Sequence, residues 1–265
     1  MKTIRFKTLA VTAAGFALAA FGTAAFAAST WNFSTCNATA SNQAATNSGN
    51  FGNTWNCAGS VAGNSVAVTG WGGADATGST GFQTAYVSSQ TTAGFGLASR
   101  YEGLAPGQPE HAADNAPNNA TPDMFLLHFN TAVALGTITT GWVSGDSDIT
   151  LMAYGAGTPT ILGKNETNIT SGWSLVENSD GSSTAGSRSV NAGNVVSSWW
   201  LISAYSSAFV GGTGGAGATN GDDYFKLLSV ASKDVQVPEP GSLALLGVGL
   251  IGLVASRRRR QALVA

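Results

Sequence analysis

The feature that most limits the fold is a succession of short β-type runs, with almost no helical periodicity between the two ends of the chain. Clusters of Gly, Asn and Ser separate these runs throughout residues 28–236. Val, Ile, Thr and aromatic runs bounded by turn residues are typical of antiparallel β folds. We therefore expect an all-β fold with a single antiparallel β-sandwich domain. The expected strand runs are 65–71, 82–87, 124–129, 133–142, 149–154, 173–177, 199–205 and 224–231.

One of these runs changes its alternation part-way. Val133 and Leu135 would share one face of an ideal strand, whereas Ile138 and Thr140 would lie on the opposite face. Such a shift turns the apolar side chains away from the core unless the strand contains a β-bulge or a corner. We expect that irregularity at Gly136.

Two segments between the runs are expected to be long loops. Residues 103–123 contain four of the seven prolines in the chain, and residues 211–221 are rich in glycine. Because Pro and Gly interrupt regular structure, the first segment is predicted to be a surface loop and the second a glycine-rich loop. Loops of this length are either functional or simply mobile.

The N-terminal segment, residues 1–27, has the three parts of a secretory signal peptide. Three basic residues come first, an almost wholly apolar stretch follows at 9–21, and the segment ends in small residues. Ala25 and Ala27 form an A-x-A cleavage site for signal peptidase, so the mature chain would begin at Ala28. An uncleaved anchor helix is the alternative.

The C-terminal end has an apolar run, residues 241–256, followed by the basic residues Arg257, Arg258, Arg259 and Arg260. Its sixteen residues would span roughly 24 Å as a helix, against a hydrocarbon core of about 30 Å. Snorkelling arginines and local thinning of the bilayer can cover that deficit. By the positive-inside rule, residues 261–265 form a cytoplasmic tail and the body lies outside. A permanent single-span membrane anchor is the plain alternative.

The charge of the body differs from that of the whole chain. The chain has a formal net charge of −2, but residues 28–236 hold five basic and thirteen acidic residues, a net charge of −8. An acidic surface repels nucleic acid and anionic lipid headgroups and favours divalent cations. The composition therefore excludes a nucleic-acid-binding protein.

The two cysteines, Cys36 and Cys57, both lie in the exported part. An even pair in an oxidising compartment is typical of a disulfide. It would close a loop, residues 37–56, that contains little material for a core. A metal pair or a nucleophile is the alternative, and each lacks companion residues in the sequence.

No catalytic constellation is visible in the sequence. The histidines, His111 and His128, lie in the proline-rich segment and in an apolar strand run, and no G-x-S-x-G motif is present. We expect His128 to be a packed core histidine. Residues 157–164 differ from a phosphate-binding loop in their glycine spacing, and residues 94–96 lack the third glycine of a dinucleotide site. We expect the protein not to be an enzyme.

Paired carboxylates are the one arrangement with a possible ligand. Asp146 and Asp148 lie in a turn between two strand runs, and Asp222 and Asp223 follow the glycine-rich loop. Hard oxygen ligands on a turn suit Ca²⁺, which makes Asp146 and Asp148 calcium candidates. The alternative is that these carboxylates accept hydrogen bonds from their own turns, as Asp commonly does.

Aromatic residues could instead bind sugars. The seven tryptophans are Trp31, Trp55, Trp71, Trp142, Trp173, Trp199 and Trp200. Most lie in strand runs, where packing in the core is the expected role. Neighbouring side chains in a strand point to opposite faces, so one of Trp199 and Trp200 is expected to face solvent or a covering element.

The C-terminal segment resembles a PEP-CTERM sorting signal over residues 237–260. The resemblance lies in the order of its parts: a motif, a short apolar helix and an arginine cluster. The motif residues are Val237, Pro238, Glu239 and Pro240. The resemblance implies processing by an exosortase, a membrane-embedded transpeptidase-like enzyme, and a Gram-negative bacterium that makes extracellular polysaccharide. The helix would hold the chain in the inner membrane until that step.

The body also resembles a family of exosortase-dependent surface proteins over residues 123–236. The segments that carry this resemblance are 125–129, 141–142, 145–150, 172–173, 198–205 and 223–226. The family implies a location at the cell surface and assigns no catalytic residues.

The function expected from these features is that of an exported, non-enzymatic surface or matrix protein. It would be associated with exopolysaccharide or a biofilm matrix after release from the membrane. The alternatives are a carbohydrate-binding module or a secreted hydrolase that carries the same C-terminal signal.

Overall fold

The computed structural model describes residues 28–36, 51–103, 111–115, 121–169, 171–209 and 217–234. These residues form thirteen β-strands and one 3-10 turn, and they contain no α-helix. The strands are β1 (Thr30–Asn32), β2 (Thr54–Ala58), β3 (Ser65–Gly72), β4 (Gln83–Gln90), β5 (Gly94–Ala98), β6 (Ala113–Asp114), β7 (Met124–Val133), β8 (Leu135–Val143), β9 (Ile149–Tyr154), β10 (Trp173–Ser179), β11 (Gly186–Ser189), β12 (Ser197–Ala204) and β13 (Tyr224–Ser232).

The expected signal peptide (residues 1–27), sorting signal (237–260) and tail (261–265) lie outside the described residues. Within the described part of the chain, no helix has the length and apolar character needed to cross a membrane.

The strands pair in one antiparallel sheet that curls on itself. Its order is β10-β9-β12-β7-β3-β4-β5-β13-β8-β11, with β2 added beside β3 and with β1 and β6 added beside β13. β4 belongs to both halves of the sheet, because its start pairs with β3 and the rest pairs with β5. The predicted all-β class and antiparallel sandwich are confirmed, with the two layers continuous through β4.

The main core lies between the two halves of the sheet. Phe125 on β7 packs 6.4 Å from Phe225 on β13, measured between ring centroids. Trp31 on β1 packs edge-on against Phe129 on β7 at 4.6 Å. All four rings are almost fully buried. Since aromatic side chains bury large apolar areas, these cross-layer pairs hold the layers together.

A second apolar cluster covers the outer face of the half that contains β7, β9 and β12. Met124, Leu126 and Leu201 point outward from the strands and are buried. Ile161 and Phe209, which come from segments outside the strands, cover them. The strand β7 is therefore apolar on both faces at its beginning, as its continuous apolar run predicts.

Each strand run expected from the sequence overlaps a strand in the structure, but the run 133–142 is divided, because Val133 ends β7 and β8 begins at Leu135. The predicted irregularity at Gly136 is also confirmed. Leu135 pairs with Ser232, but Thr137 pairs with Ala231, so Gly136 is an extra residue on β8. Leu135 and Ile138 are both fully buried on this strand, because the bulge at Gly136 turns the following apolar side chains back toward the core.

The prediction of a surface loop over residues 103–123 is partly wrong. Residues 104–110 and 116–120 lie outside the described residues, but Ala113–Asp114 forms the short strand β6 beside β13. Ala113, Asp114 and Asp123 are buried. The proline content of the segment gave no sign of this strand.

The predicted disulfide between Cys36 and Cys57 is confirmed. Their Cα atoms are 4.8 Å apart, and Cys57 packs in the main core. The bond joins the 3-10 turn (Phe33–Thr35) after β1 to the strand β2. Closing a loop of this size stabilises the folded state by about 3 kcal/mol in the chain-entropy model.

Candidate functional site

The two predicted pairs of carboxylates lie side by side in the folded protein. Asp146 and Asp223 form an isolated parallel β-bridge through their backbones. The Asp146 amide donates to the Asp222 carbonyl, and the Tyr224 amide donates to the Asp146 carbonyl, both at 2.9 Å. The turn between β8 and β9 is thereby fastened to the segment that enters β13. Their convergence depends on tertiary structure, because about 75 residues separate the pairs in the chain.

A third carboxylate, Asp180, joins Asp146 and Asp148 to form what we call the acidic cluster. One carboxylate oxygen from each residue lies within 4.8 Å of the others. The sequence reasoning missed Asp180, which lies in a Ser/Asp/Gly segment without a motif. Its position follows from strand pairing: Ser179 pairs with Ile149, which places Asp180 beside Asp148.

Backbone amides satisfy much of the acidic cluster. Asp148 accepts hydrogen bonds from the Gly181 amide at 2.6 Å and from the Thr219 amide at 2.8 Å. The Asp148 amide in turn donates to Asp223 Oδ1 at 2.5 Å. Asn115 Nδ2 donates to the other oxygen of Asp223 at 2.7 Å. Four separate segments of the chain are therefore tied together here.

Arg188 brings a positive charge to this cluster. Its guanidinium donates to the Ser147 carbonyl and to Ser147 Oγ, both at 2.6 Å. Burial lowers the pKa of Arg188, and the charges of Asp148 and Asp146 act in the opposite direction. An arginine stays protonated in proteins, so this side chain offsets part of the negative charge of the carboxylates.

Two carboxyl groups near Arg188 have raised pKa values. Burial is the main cause for Asp223, and the neighbouring charge of Asp148 adds to it, so that its pKa rises to about 8. Burial also raises the pKa of Asp148, although the Gly181 and Thr219 amides act against that shift. Both groups are fully buried. Close carboxylates with raised pKa values are common in catalytic sites and also in structural networks.

The acidic cluster fits calcium only in part. Asp146, Asp148 and Asp180 supply the hard oxygens that Ca²⁺ prefers. However, Asp148 already uses its oxygens to accept backbone N–H groups, and Arg188 provides a competing cation. The contacts therefore describe a network that fastens turns. Asp146 accepts from the Ser147 amide of its own turn, but Asp148 accepts from amides of distant segments, which the sequence did not predict.

A second group of carboxylates lies near the first. Glu102, Asp114 and Asp123 place one oxygen each within 4.8 Å of one another, and the last two are fully buried. The Asp123 amide donates to the Asp114 carbonyl at 2.7 Å, and Ser99 donates to Glu102 through its amide and its hydroxyl. The sequence did not predict this group, because two of its members lie in the segment expected to be a surface loop.

The prediction for His128 is wrong. Its imidazole is exposed on the outer face of β7 and stacks on the indole of Trp199, with ring centroids 3.8 Å apart and planes 5° apart. The outward direction follows from alternation, since Leu127 and Phe129 on either side point into the core. Partial burial lowers the pKa of His128.

Trp199 and His128 belong to a line of rings that crosses the sheet, the aromatic row. Trp173 pairs with Tyr154, Tyr154 pairs with Trp199, and Trp199 pairs with His128. Trp173 is mostly buried, Tyr154 and Trp199 are half-buried, and His128 is exposed. The prediction that Trp199 and Trp200 face opposite ways is confirmed, because Trp200 is fully buried in the main core.

One comparison with known proteins gives a match. The PEP-CTERM protein-sorting motif matches residues 236–260. This range contains the predicted motif residues and the arginine cluster, which lie outside the residues that the structure describes.

No curated protein and no solved structure matches the chain. The motif implies export and a membrane-anchored C-terminal signal before processing. It supports the conclusion that the chain is a PEP-CTERM sorting-domain protein whose sorting depends on an exosortase.

Proposed function

We propose that this chain is a non-enzymatic surface or matrix protein whose β domain binds extracellular polysaccharide after exosortase processing. The sorting motif at residues 236–260 carries the first part of this proposal. The aromatic row on the outer face of the sheet carries the second part. The signal peptide and the cleavage after Ala27 complete the route and rest on the sequence pattern.

The sorting step is tested by replacing Pro238, Glu239 and Pro240 together with alanine. The variant should stay membrane-held and keep its full C-terminal mass, because the exosortase would no longer recognise it. Intact-mass measurement of the surface and membrane fractions distinguishes the two forms. A matched control replaces Gln261, Leu263 and Val264 with alanine, which leaves the motif and the arginines in place. Normal release of the motif variant would contradict the sorting proposal. An intact C-terminus in the parent protein as well would instead favour a plain single-span anchor.

Polysaccharide binding is supported by the composition of the aromatic row. Half-buried Trp199 and Tyr154 combine an apolar ring surface with a polar group that can form hydrogen bonds. Asn56 and Ala67 continue the same line across β2 and β3, so the line contains no carboxylate and no lysine or arginine. An uncharged strip of rings and amides suits a neutral sugar polymer better than an ionic ligand.

Replacing Trp199 with alanine tests this binding role. We expect retention on purified exopolysaccharide to fall about tenfold, which corresponds to about 1.4 kcal/mol. The control is Trp142→Ala, which removes a half-buried indole from the other half of the sheet, where Lys226 contacts it. Equal retention by both variants and by the parent protein would contradict a role for the aromatic row.

The contacts of the carboxylates support a non-enzymatic role over a secreted hydrolase. A glycosidase needs two carboxyl groups facing one cleft at about 5–10 Å. Asp148 and Asp223 are fully buried and accept backbone hydrogen bonds. The open cavity beside them is lined by Asp180 and Arg188 but by neither buried carboxylate.

A further inference from the structure

The N-terminal and C-terminal residues of the described domain lie next to each other. Thr30 on β1 pairs with Ala231 on β13, and the Ser232 amide donates to the Ser29 carbonyl at 2.8 Å. Beyond them, the Ala28 amide donates to Asp234 Oδ1 at 2.5 Å. We call this part of the sandwich the exit end.

Three segments surround the exit end: the turns at residues 60–64 and 191–196, and residues 131–134, which end β7 and lead into β8. The Ser60 amide donates to the Thr30 carbonyl, and the Lys233 amide donates to the Ala134 carbonyl, both at 2.8 Å. Lys233 Nζ donates to the Asn191 carbonyl at 2.7 Å. None of these three segments contains a charged residue.

The turn 191–196 also presents apolar side chains to solvent. Val195 is 38% exposed and Val196 is 46% exposed, and they are two of the four large hydrophobic residues that are exposed in the described part of the chain. Asn191 holds the turn in place, since its side chain exchanges hydrogen bonds with the Val195 backbone. The valines are therefore held outward on an ordered turn.

The opposite end of the sandwich is acidic. Tyr224 at the start of β13 pairs with Asp114, and the acidic cluster surrounds the segment that enters this strand. The nine residues of β13 separate the two ends by roughly 27 Å. Leu162, which is 58% exposed, also lies at this acidic end. Its neighbour Gly163 donates an amide hydrogen bond to the Phe82 carbonyl, next to the place where β3 pairs with β4.

The length of the chain after the domain limits where the exit end can be. Seven residues lead from Asp234 to Gly241, where the apolar run of the sorting signal begins. A fully extended chain of that length reaches at most about 25 Å. While the apolar run is in the membrane, the exit end therefore stays close to the bilayer surface.

We propose that the exit end rests on the bilayer interface before processing, with Val195 and Val196 in contact with lipid and the acidic end directed away. The proposal rests on the membrane insertion that the sorting signal implies. Tethering makes this contact intramolecular, so a small apolar patch is sufficient. The carboxylates of the acidic end would be repelled by anionic headgroups, which favours the same orientation.

Site-specific quenching tests the contact in the full chain. Val196→Cys and, on the neighbouring exit turn, Ala62→Cys would each carry a fluorophore, with Leu162→Cys as the matched control on an exposed residue at the acidic end. The chains are reconstituted in vesicles of phosphatidylcholine and phosphatidylglycerol that contain a lipid with a nitroxide-labelled headgroup. We expect strong quenching at positions 196 and 62 and weak quenching at position 162.

The outcomes separate this contact from the sorting proposal. Equal quenching at the three positions, in chains that float with the vesicles, would overturn the contact and leave the anchor intact. Failure of the unlabelled chain to float would overturn both. If position 196 became shielded only when exosortase is added, the partner of the exit end would be the enzyme, and the bilayer contact would be wrong.

Discussion

Single residues of the acidic cluster show how the protein keeps several carboxyl groups close together. Asp148 is held by the Gly181 and Thr219 amides, and Asp223 accepts from the Asp148 amide and from Asn115. Burying a charge is unfavourable unless hydrogen bonds or opposite charges compensate. Asp223 receives less compensation than its burial requires, which explains why its pKa rises to about 8.

The raised pKa of Asp223 has a consequence for stability. Between the ordinary value near 3.8 and the folded value of about 8, the folded state holds a proton that the unfolded state has lost. The free energy of unfolding should therefore fall as the pH rises through this window. The contribution of one such group is at most about 1.4 kcal/mol per pH unit.

Asp223→Asn should reduce this fall. The variant cannot ionise, and its side-chain oxygen can still accept from the Asp148 amide, although the bond from Asn115 is lost. Urea unfolding between pH 4 and pH 8, the limits set by the two pKa values, measures the effect. Asp222→Asn is the control, because Asp222 is exposed and adjacent. An unchanged slope in Asp223→Asn would mean that Asp223 does not titrate in this range.

Among the elements, the hairpin of β4 and β5 depends on a glycine. Gly94, with φ of +86°, begins β5, and a Cβ atom there would lie 2.1 Å from the Leu227 carbonyl oxygen on β13. Gly63 has the same φ but has no atom within 4 Å of an added Cβ. The two positions therefore separate the cost of the left-handed backbone from the cost of close packing.

We predict that Gly63→Ala costs about 1 kcal/mol of stability and that Gly94→Ala costs at least about 2 kcal/mol more. The larger cost arises because β5 must move away from β13. Thermal and urea unfolding of the two variants provide the comparison. Equal losses would show that the hairpin can shift without cost.

The sequence predicts those elements that carry apolar β-branched or aromatic runs. It fails for the two shortest strands, β1 and β6. It also fails for β2, β5 and β11, which contain Asn, Gly, Ser or Arg in place of a continuous run. Pairing with neighbouring strands stabilises these three elements. Local propensity is a weak guide where tertiary contacts decide, and β-propensity depends strongly on position in the sheet.

The candidate sites show the same division. The pairs Asp146–Asp148 and Asp222–Asp223 are visible in the sequence because their members are adjacent in the chain. Asp180 joins them only through the pairing of β9 with β10. The apolar neighbours of His128 predict a core position, but strand alternation turns its imidazole outward, where it is exposed.

At the scale of the whole molecule, charge is distributed unevenly along the sandwich. Both groups of carboxylates lie at the end opposite the exit end, with Arg188 among them. Because Arg188 and backbone amides already offset the charges of the acidic cluster, the fold should not need a metal ion there.

We therefore predict that Ca²⁺ and EDTA give melting temperatures that agree within about 2 °C, the shift that about 0.5–1 kcal/mol would produce in a domain of this size. Differential scanning calorimetry of the parent protein and of Asp180→Asn makes the measurement. A rise in melting temperature with Ca²⁺ that Asp180→Asn abolishes would instead establish a calcium site at Asp146, Asp148 and Asp180.

The neighbouring positions of Ala28 and Asp234 determine how the domain would respond to force. If both ends were pulled, the load would fall on the few hydrogen bonds between β1 and β13 and would open them one after another. If the C-terminal end alone were held while a ligand pulled on the aromatic row, the load would pass through the sheet and be shared among many strands. In a protein held only by its C-terminal end, a force on the aromatic row would therefore be shared among many strands. The hydrogen bonds between β1 and β13 would not open first, because no tension would act on β1.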